Sequence, residues 1–244
     1  LAKYAEKGIL APIVVPTEQE EADRHIVRVR DQLMKKQRRV KHQIKSLLLQ
    51  FSIKEPAGLK NWTIASVATL AELKLMGSIK LSLDILVDEL NFLKQQLEKV
   101  GVGLKKLSAT SRHKEANERL QTHPGVGEVT AMKFLAEIYQ PGRFRKPEQV
   151  TSYLGLAPKV SQSGETRKEG GIQKSGRQAL RSILIEASWT WMRKDHRGKQ
   201  LYAKLLRNTG SGKKAIVGVA RHMAINLWCM LTRQHNYKPA KQGA

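Results

Sequence analysis

The sequence predicts a mainly α-helical protein, with a long coiled-coil hairpin followed by a compact helical domain. Three observations carry this. Apolar residues recur at helical spacing through two long stretches, Ile26–Leu47 and Ile79–Leu107. The turn His123-Pro124-Gly125-Val126-Gly127 runs at once into helix formers, as in a helix-hairpin-helix motif. A Gly/Ser-rich, cationic loop follows at 159–173 and is bounded by further helical patterns.

In chain order, residues 1–16 read as a helix end stopped at Gly8 and an extended linker, Ala11 to Pro16. They are expected to be the tail of a truncated preceding domain. Thr17 and Glu20 have capping-box spacing and open a helix running to about Phe51. Its apolar stripe is Ile26, Val29, Leu33, Val40, Ile44 and Leu47. Arg24, Arg28, Lys35, Arg38, Arg39, Lys41 and Lys45 form the basic face opposite. Pro56-Ala57-Gly58 breaks the pattern, and Trp62 to Leu75 reads as one or two shorter helices ending near Gly77. In the second long helix Ile79, Leu83, Leu86, Leu90, Leu93, Leu97, Val100, Leu104 and Leu107 alternate four and three apart, a heptad seam. Gly101 and Gly103 weaken its end. Residues 17–114 are therefore a coiled-coil connector or dimerisation region, with an ordinary helical bundle as the alternative. Residues 115–238 form the compact domain, and 239–244 a tail. Within it, helices are expected at about Glu128–Tyr139, Pro147–Leu154, Arg177–Arg193, Leu201–Leu206 and Lys213–Arg233, with Lys159–Gln173 a loop or small ribbon.

Charge narrows the function. The 244 residues hold 44 Lys and Arg against 21 Asp and Glu, a net +23. From Arg143 onward there are 21 basic and 5 acidic residues, a surplus of 16. Such a field points to a polyanion, most often nucleic acid. A membrane is the other polyanion to consider. No apolar run approaches the roughly 18–20 residues of a spanning helix, since Ala215–Leu231 is broken by Arg221, His222 and Asn226. The opening Leu1–Glu6 has no apolar core, so it is not a signal peptide. The single Cys229 excludes an internal disulfide and fits a reducing cytoplasm; its apolar helical setting predicts a buried, inert thiol.

Two segments could carry chemistry. In the hairpin, Gly125 and Gly127 can take positive φ and bring backbone N–H groups to a phosphate at the next helix N-terminus. A plain tight turn is the alternative. In the loop, Ser161, Ser163 and Ser175 stand among Lys159, Arg167, Lys168, Lys174, Arg177 and Arg181. Ser163-Gly164 and Ser175-Gly176 read as exposed turns. Phosphoryl transfer needs mainly positioning and positive charge. By composition alone, a phosphate-binding loop whose serines merely hydrogen-bond is the stronger reading. Asp195-His196 reads as a helix cap, and Gly210–Lys214 as a Gly-rich linker into a basic helix start. Glu148, Glu165, Glu169, Glu186 and Asp195 have no convergent spacing, while Asp84, Asp88 and Glu89 lie on a polar helix face, so no metal site is expected within this chain.

Together LAKYAEKGIL, HPGVGEVTAMKFLAEI, YLGLAPKVSQSGE, GGIQKSGRQALRSILIEASW and AIVGVARHMAINLW resemble the insertion-sequence 110-type, or Piv/MooV-like, transposases across essentially the whole chain. The resemblance implies an N-terminal RuvC-like domain with four acidic residues that bind Mg²⁺, a coiled-coil connector, and a C-terminal domain with a nucleophilic serine. It implies DNA cleavage and rejoining through a serine–DNA intermediate, a noncoding bridge RNA, and a dimer or tetramer built through the coiled coil. It carries the nucleophile to Ser163, with Ser161 and Ser175 as lesser candidates. The nucleic-acid contacts expected are Gly125, Val126, Gly127, Lys133, Arg143, Arg145, Lys159, Gly164, Arg167, Lys168, Lys174, Arg177, Arg181, Lys213 and Lys214. In the family, the last acids fall just before a Leu-Ala like Leu1-Ala2. The expectation is a fragment that binds nucleic acid, does not cleave alone, and acts in a bacterial or archaeal cytoplasm at the nucleoid. A non-catalytic nucleic-acid-binding module is the alternative.

Overall fold

Residue 17 opens the first long helix in the way its spacing predicts. The Thr17 amide donates to Glu20 Oε2 at 2.8 Å, and the Glu20 amide donates to Thr17 Oγ1 at 3.2 Å. The computed structural model describes residues 2–8, 13–163, 166–172 and 176–239, and within them not the side chains of 5, 160–162 and 166–169. It is mainly helical: α1 Ala2–Glu6, α2 Glu18–Gln50, α3 Ile64–Glu72, α4 Gly77–Ser108, α5 Lys114–Gln121, α6 Glu128–Ile138, α7 Pro147–Tyr153, α8 Gln178–Lys194, α9 His196–Thr209 and α10 Gly212–Thr232. One antiparallel ribbon, β1 Pro158–Ser163 and β2 Thr166–Ile172, interrupts the helices between α7 and α8.

The chain divides into two compact units, residues 25–105 and residues 1–24 with 106–244. In the first, one apolar cluster joins Val40, Ile44 and Leu48 of α2, Val67 and Leu70 of α3, and Leu83, Val87, Leu90 and Leu93 of α4. The helical seam is present but wider than the heptad reading. Val87 lies outside the predicted seam and is buried, and Leu48 is buried where Leu47 was expected. A straight helix drifts off a strict seven-residue repeat, and a globular contact covers a broader stripe. Thr63 caps α3, its Oγ1 accepting from the Ser66 amide at 3.2 Å.

The second unit is built around α10. Among the described residues, α10 is the one helix long and apolar enough to cross a bilayer by length and composition, contrary to the sequence reading. Arg221, His222 and Asn226 lie within that stretch, and its many apolar residues outweigh them. Its Ile216, Val219, Ala220, Met223, Ala224 and Leu227 are buried in a single core with α5–α8 residues such as Leu120, Phe134, Val150 and Leu184. Cys229 is half-buried there rather than fully buried.

Asp195 ties three elements together. It is the N-cap of α9, as its position before a helical run suggests. Its Oδ1 accepts from the Gly198 amide at 3.1 Å, Trp191 Nε1 at 3.1 Å and the Tyr237 hydroxyl at 3.0 Å. Replacing it by Ala removes a cap and leaves buried donors unpaired, so Asp195→Ala should cost about 2–4 kcal/mol. Asp195→Asn, which keeps an acceptor, should cost less. Urea unfolding of the two variants checks this.

Candidate nucleic-acid interface

The segment from Thr122 to Gly127 connects α5 to α6 and lies against α8. Gly125 has φ +90°, and a Cβ there would overlap the Ala187 carbonyl oxygen and crowd Thr190. Only glycine allows this approach. Gly127 departs from the sequence expectation. Its φ is −98° and nothing lies within 4 Å of its Cβ position, because it is the extended N-cap of α6 and not a left-handed turn residue. Val126 is buried, while Gly127 is exposed. No side chain caps α6. Its first turn holds Glu128, which accepts from Ser108 Oγ at 2.6 Å and puts negative charge where a phosphate would sit.

His123 anchors this turn from behind. Its ring meets Trp191 at 4.7 Å and Tyr237 at 4.3 Å between centroids. Nδ1–H donates to the Pro124 carbonyl at 3.0 Å, which leaves Nε2 buried and without a partner. The Tyr237 amide donates to Thr122 Oγ1 at 2.9 Å, so the segment after α10 straps the turn in place. Burial holds the His123 pKa down to about 4, against the opposing pull of the Pro124 bond and Asp195. Burial also pushes the Tyr237 hydroxyl up to about 12.

The ribbon is pinched at its base. A Cβ on Gly176 would overlap the backbone of Tyr153, Leu154 and Gly155, so the chain closes on itself where the loop leaves the core. Val160↔Glu169, Ser161↔Lys168, Gln162↔Arg167 and Ser163↔Thr166 are paired, with an irregularity between Pro158 and Val160. Ser163 is exposed at the far end of β1, and Lys159 is exposed nearer the base. Gly164, Lys174 and Ser175 lie outside the described residues, as do the side chains of Ser161, Arg167 and Lys168.

The remaining expected contacts divide by burial. Arg145, Lys213 and Lys214 are exposed, the last two in the uncapped first turn of α10. Arg177, the N-cap residue of α8, is half-exposed, and its Nε lies 3.5 Å from Glu137 Oε2. Glu137 is buried on α6, and its Oε2 also accepts from Arg24 Nη2 at 3.4 Å. Arg24 is thus drawn into the interior and does not belong to an exposed basic face of α2. Lys133 and Arg181 are buried too, and Arg181 Nη1 has no partner. Arg143 is spent on packing: its guanidinium stacks on Tyr139, Phe144 and Tyr153 at 4.0, 4.3 and 4.5 Å. Sequence reasoning missed Glu137, whose signal was an acid on the otherwise apolar second half of the helix after HPGVG. It also missed the cations of α9, namely Arg197, Lys199, Lys204 and Arg207, all exposed. Among the described residues no three His, Cys, Asp or Glu side chains converge as metal ligands.

Residues 117–203 match the transposase family described as IS116/IS110/IS902. The chain is 27% identical over 243 residues to the transposase for insertion sequence element IS1111A of Coxiella burnetii, covering 98% of this chain and 66% of that protein. It is 29% identical over 209 residues to the putative transposase y4qE of Sinorhizobium fredii, covering 84% and 49%. Over 125 residues it is 30% identical to the pilin gene-inverting protein of Moraxella bovis, covering 50% and 39%. The chain spans at most about two thirds of the length of these relatives.

Two outcomes test the turn. Gly125→Ala meets both the positive φ and the Ala187 carbonyl, and should cost roughly 2–4 kcal/mol in denaturant unfolding, whereas Gly127→Ala should stay within about 0.5 kcal/mol. The buried neutral His123 binds its proton less readily folded than unfolded. Its contribution is therefore whole above about pH 6.5 and is lost as pH falls toward about 4. Unfolding free energy should drop by about 3 kcal/mol over that window, and His123→Gln should flatten the drop.

Proposed function

We propose that this chain supplies the nucleic-acid-gripping, serine-bearing part of a DNA transposase, on the premise that residues 117–203 are a segment of the IS116/IS110/IS902 transposase family. The observation that carries the reading is the placement of Ser163. It is exposed at the tip end of a ribbon whose base is pinched at Gly176 and flanked by Lys159 and Arg177. A serine so placed can reach a phosphodiester while the scaffold stays fixed. In the proposed step Ser163 Oγ forms a bond to phosphorus as one P–O bond of the strand breaks. The departing strand oxygen takes up a proton as the serine hydroxyl loses one. Attack by another strand's hydroxyl reverses the step and completes rejoining.

The exposed Gly127 is, on this reading, the part of the helix-hairpin-helix turn that approaches nucleic-acid backbone, the phosphates lying at a distance from the Glu128 carboxylate, with Arg145, Lys213 and Lys214 as further exposed contacts. The partners are DNA and a noncoding guide RNA. The assembly is a homo-oligomer joined through the 25–105 unit, working in the cytoplasm. Exposed Leu81, Ile85 and Phe92 along α4 support the oligomer. Mg²⁺ would supply Lewis-acid activation from carboxylates that do not belong to the described residues of this chain.

The test combines the chain with an acidic RuvC-like domain, element RNA, Mg²⁺ and labelled donor DNA. Denaturing gels should show a covalent protein–DNA adduct that Ser163→Ala reduces to background, with DNA affinity within about twofold of wild type. An adduct that survives the substitution sinks the role of Ser163. Binding without any adduct from the wild type favours a non-catalytic binding module.

A further inference from the structure

We propose that Arg197 and Lys204 of α9, with Arg221 and His222 of α10, form a second phosphodiester-backbone site, separate from the ribbon. The inference stands on the α9–α10 pair alone and does not require Ser163 to be a nucleophile.

The convergence follows from helix register. Gly210, left-handed at φ 62°, ends α9 and turns the chain back into α10. The two helices then pack so closely that a Cβ on Gly218 would lie 2.8 Å from Leu205 Cδ1. A Cβ on Gly212 would lie 2.9 Å from the Tyr202 hydroxyl. With Gly218 against Leu205 in an antiparallel pair, one helical turn onward places His222 opposite Leu201. Arg197 and Lys204 stand four before and three after Leu201, on the same face of α9. Arg221 adjoins His222 on α10. The imidazole registers this neighbourhood. Its pKa is held below the ordinary range first by burial, then by Arg221, Arg197 and Lys204.

The cluster is uncompensated. Neither α9 nor α10 contains an acidic residue. Arg197, Lys204 and Arg221 have no carboxylate partner among the described residues. The Asp195 carboxylate, next in sequence to this face, is already bonded to Trp191, Gly198 and Tyr237 through Oδ1. A surface tuned only for solubility intersperses the two signs. Like charges gathered without acids instead concentrate anions.

Spacing favours nucleic acid. Arg177 precedes α8 and Arg197 follows it, and the 17 residues of α8 span about 25 Å. That equals roughly seven nucleotides along one strand of a duplex at 3.4 Å each. A duplex strand therefore matches the distance between Arg177 at the ribbon base and Arg197 at the start of α9.

Binding of the full chain to a 20-base-pair DNA duplex and to a structured RNA, followed by fluorescence anisotropy between 50 and 200 mM salt, tests the site. The variant R197Q/K204Q/R221Q should flatten the slope of log K against log salt by about 2.7, some 0.9 per lost phosphate contact. A change on the duplex alone assigns the site to DNA, on the RNA alone to RNA, and either supports it. Lys204→Gln alone should flatten the slope by about 0.9, whereas Lys199→Gln, the same charge change on the opposite side of α9, should leave it. The two single variants settle the matter if the triple variant fails to fold. Wild-type slopes for both polymers with helical circular dichroism intact overturn the proposal. So do equal effects of Lys199→Gln and Lys204→Gln. Loss of binding only to vesicles containing anionic lipid overturns it in favour of a membrane surface.

Discussion

The contact between the backbone of Gly125 and the backbone of α8 at Ala187 is the constraint on which the rest of the C-terminal unit depends. Two main chains approach until no side chain fits between them, so the turn cannot slide or rotate. α6 starts three residues later, and α8 starts just beyond the ribbon. Pinning the turn to α8 thus sets the direction of α6 and the frame against which the ribbon base closes at Gly176. His123 makes the same joint apolar and aromatic, packing on Trp191 and Tyr237. Its neutral ring suits a site where a charge would be expensive. Asp195 then locks Trp191 and Tyr237 to the start of α9. One chain of contacts therefore runs from the turn through α8 to α9.

Local patterns were legible where the physics is local. The Thr17 capping box, the Asp195 cap and the periodic helices all arise from neighbours within a few residues. The ribbon at 158–172 was also anticipated by its run of Gly and Ser flanked by helical patterns. The short helix expected at Leu201–Leu206 extends over His196–Thr209, because its start depends on a cap and not on apolar periodicity. What escaped the sequence were the partners made at a distance. Arg24 looks like a surface cation until Glu137, 113 residues away, draws it inside. Arg143 looks like a phosphate ligand until three aromatic rings enclose it. Gly127 looks like a second left-handed glycine, but the α6 N-cap needs only extended backbone.

This sorting changes the meaning of the net charge. A surplus of cations in a sequence window says nothing about which of them face solvent. Lys133, Arg143 and Arg181 contribute to the interior. Lys159, Arg177, Arg197, Lys204, Lys213 and Lys214 remain available to a polyanion. Buried cations must be desolvated and compensated, which Glu137 does for Arg24. The exposed ones carry no such cost and act through counterion release.

Glu137 also joins two separate stretches of the same compact unit. Through Oε2 it meets Arg24 at the start of the long helix and Arg177 at the start of α8. Arg177 is half in solvent, so a phosphate can compete for its guanidinium from outside while Glu137 orients it from within. A shared carboxylate of this kind restricts the rotamers of a long side chain before the ligand arrives, lowering the entropy lost on binding. The same logic does not extend to α9, whose cations have no carboxylate to orient them. Arg177 is therefore suited to hold a phosphate at a defined place beside the ribbon, and the α9–α10 face to attract backbone without fixing its register.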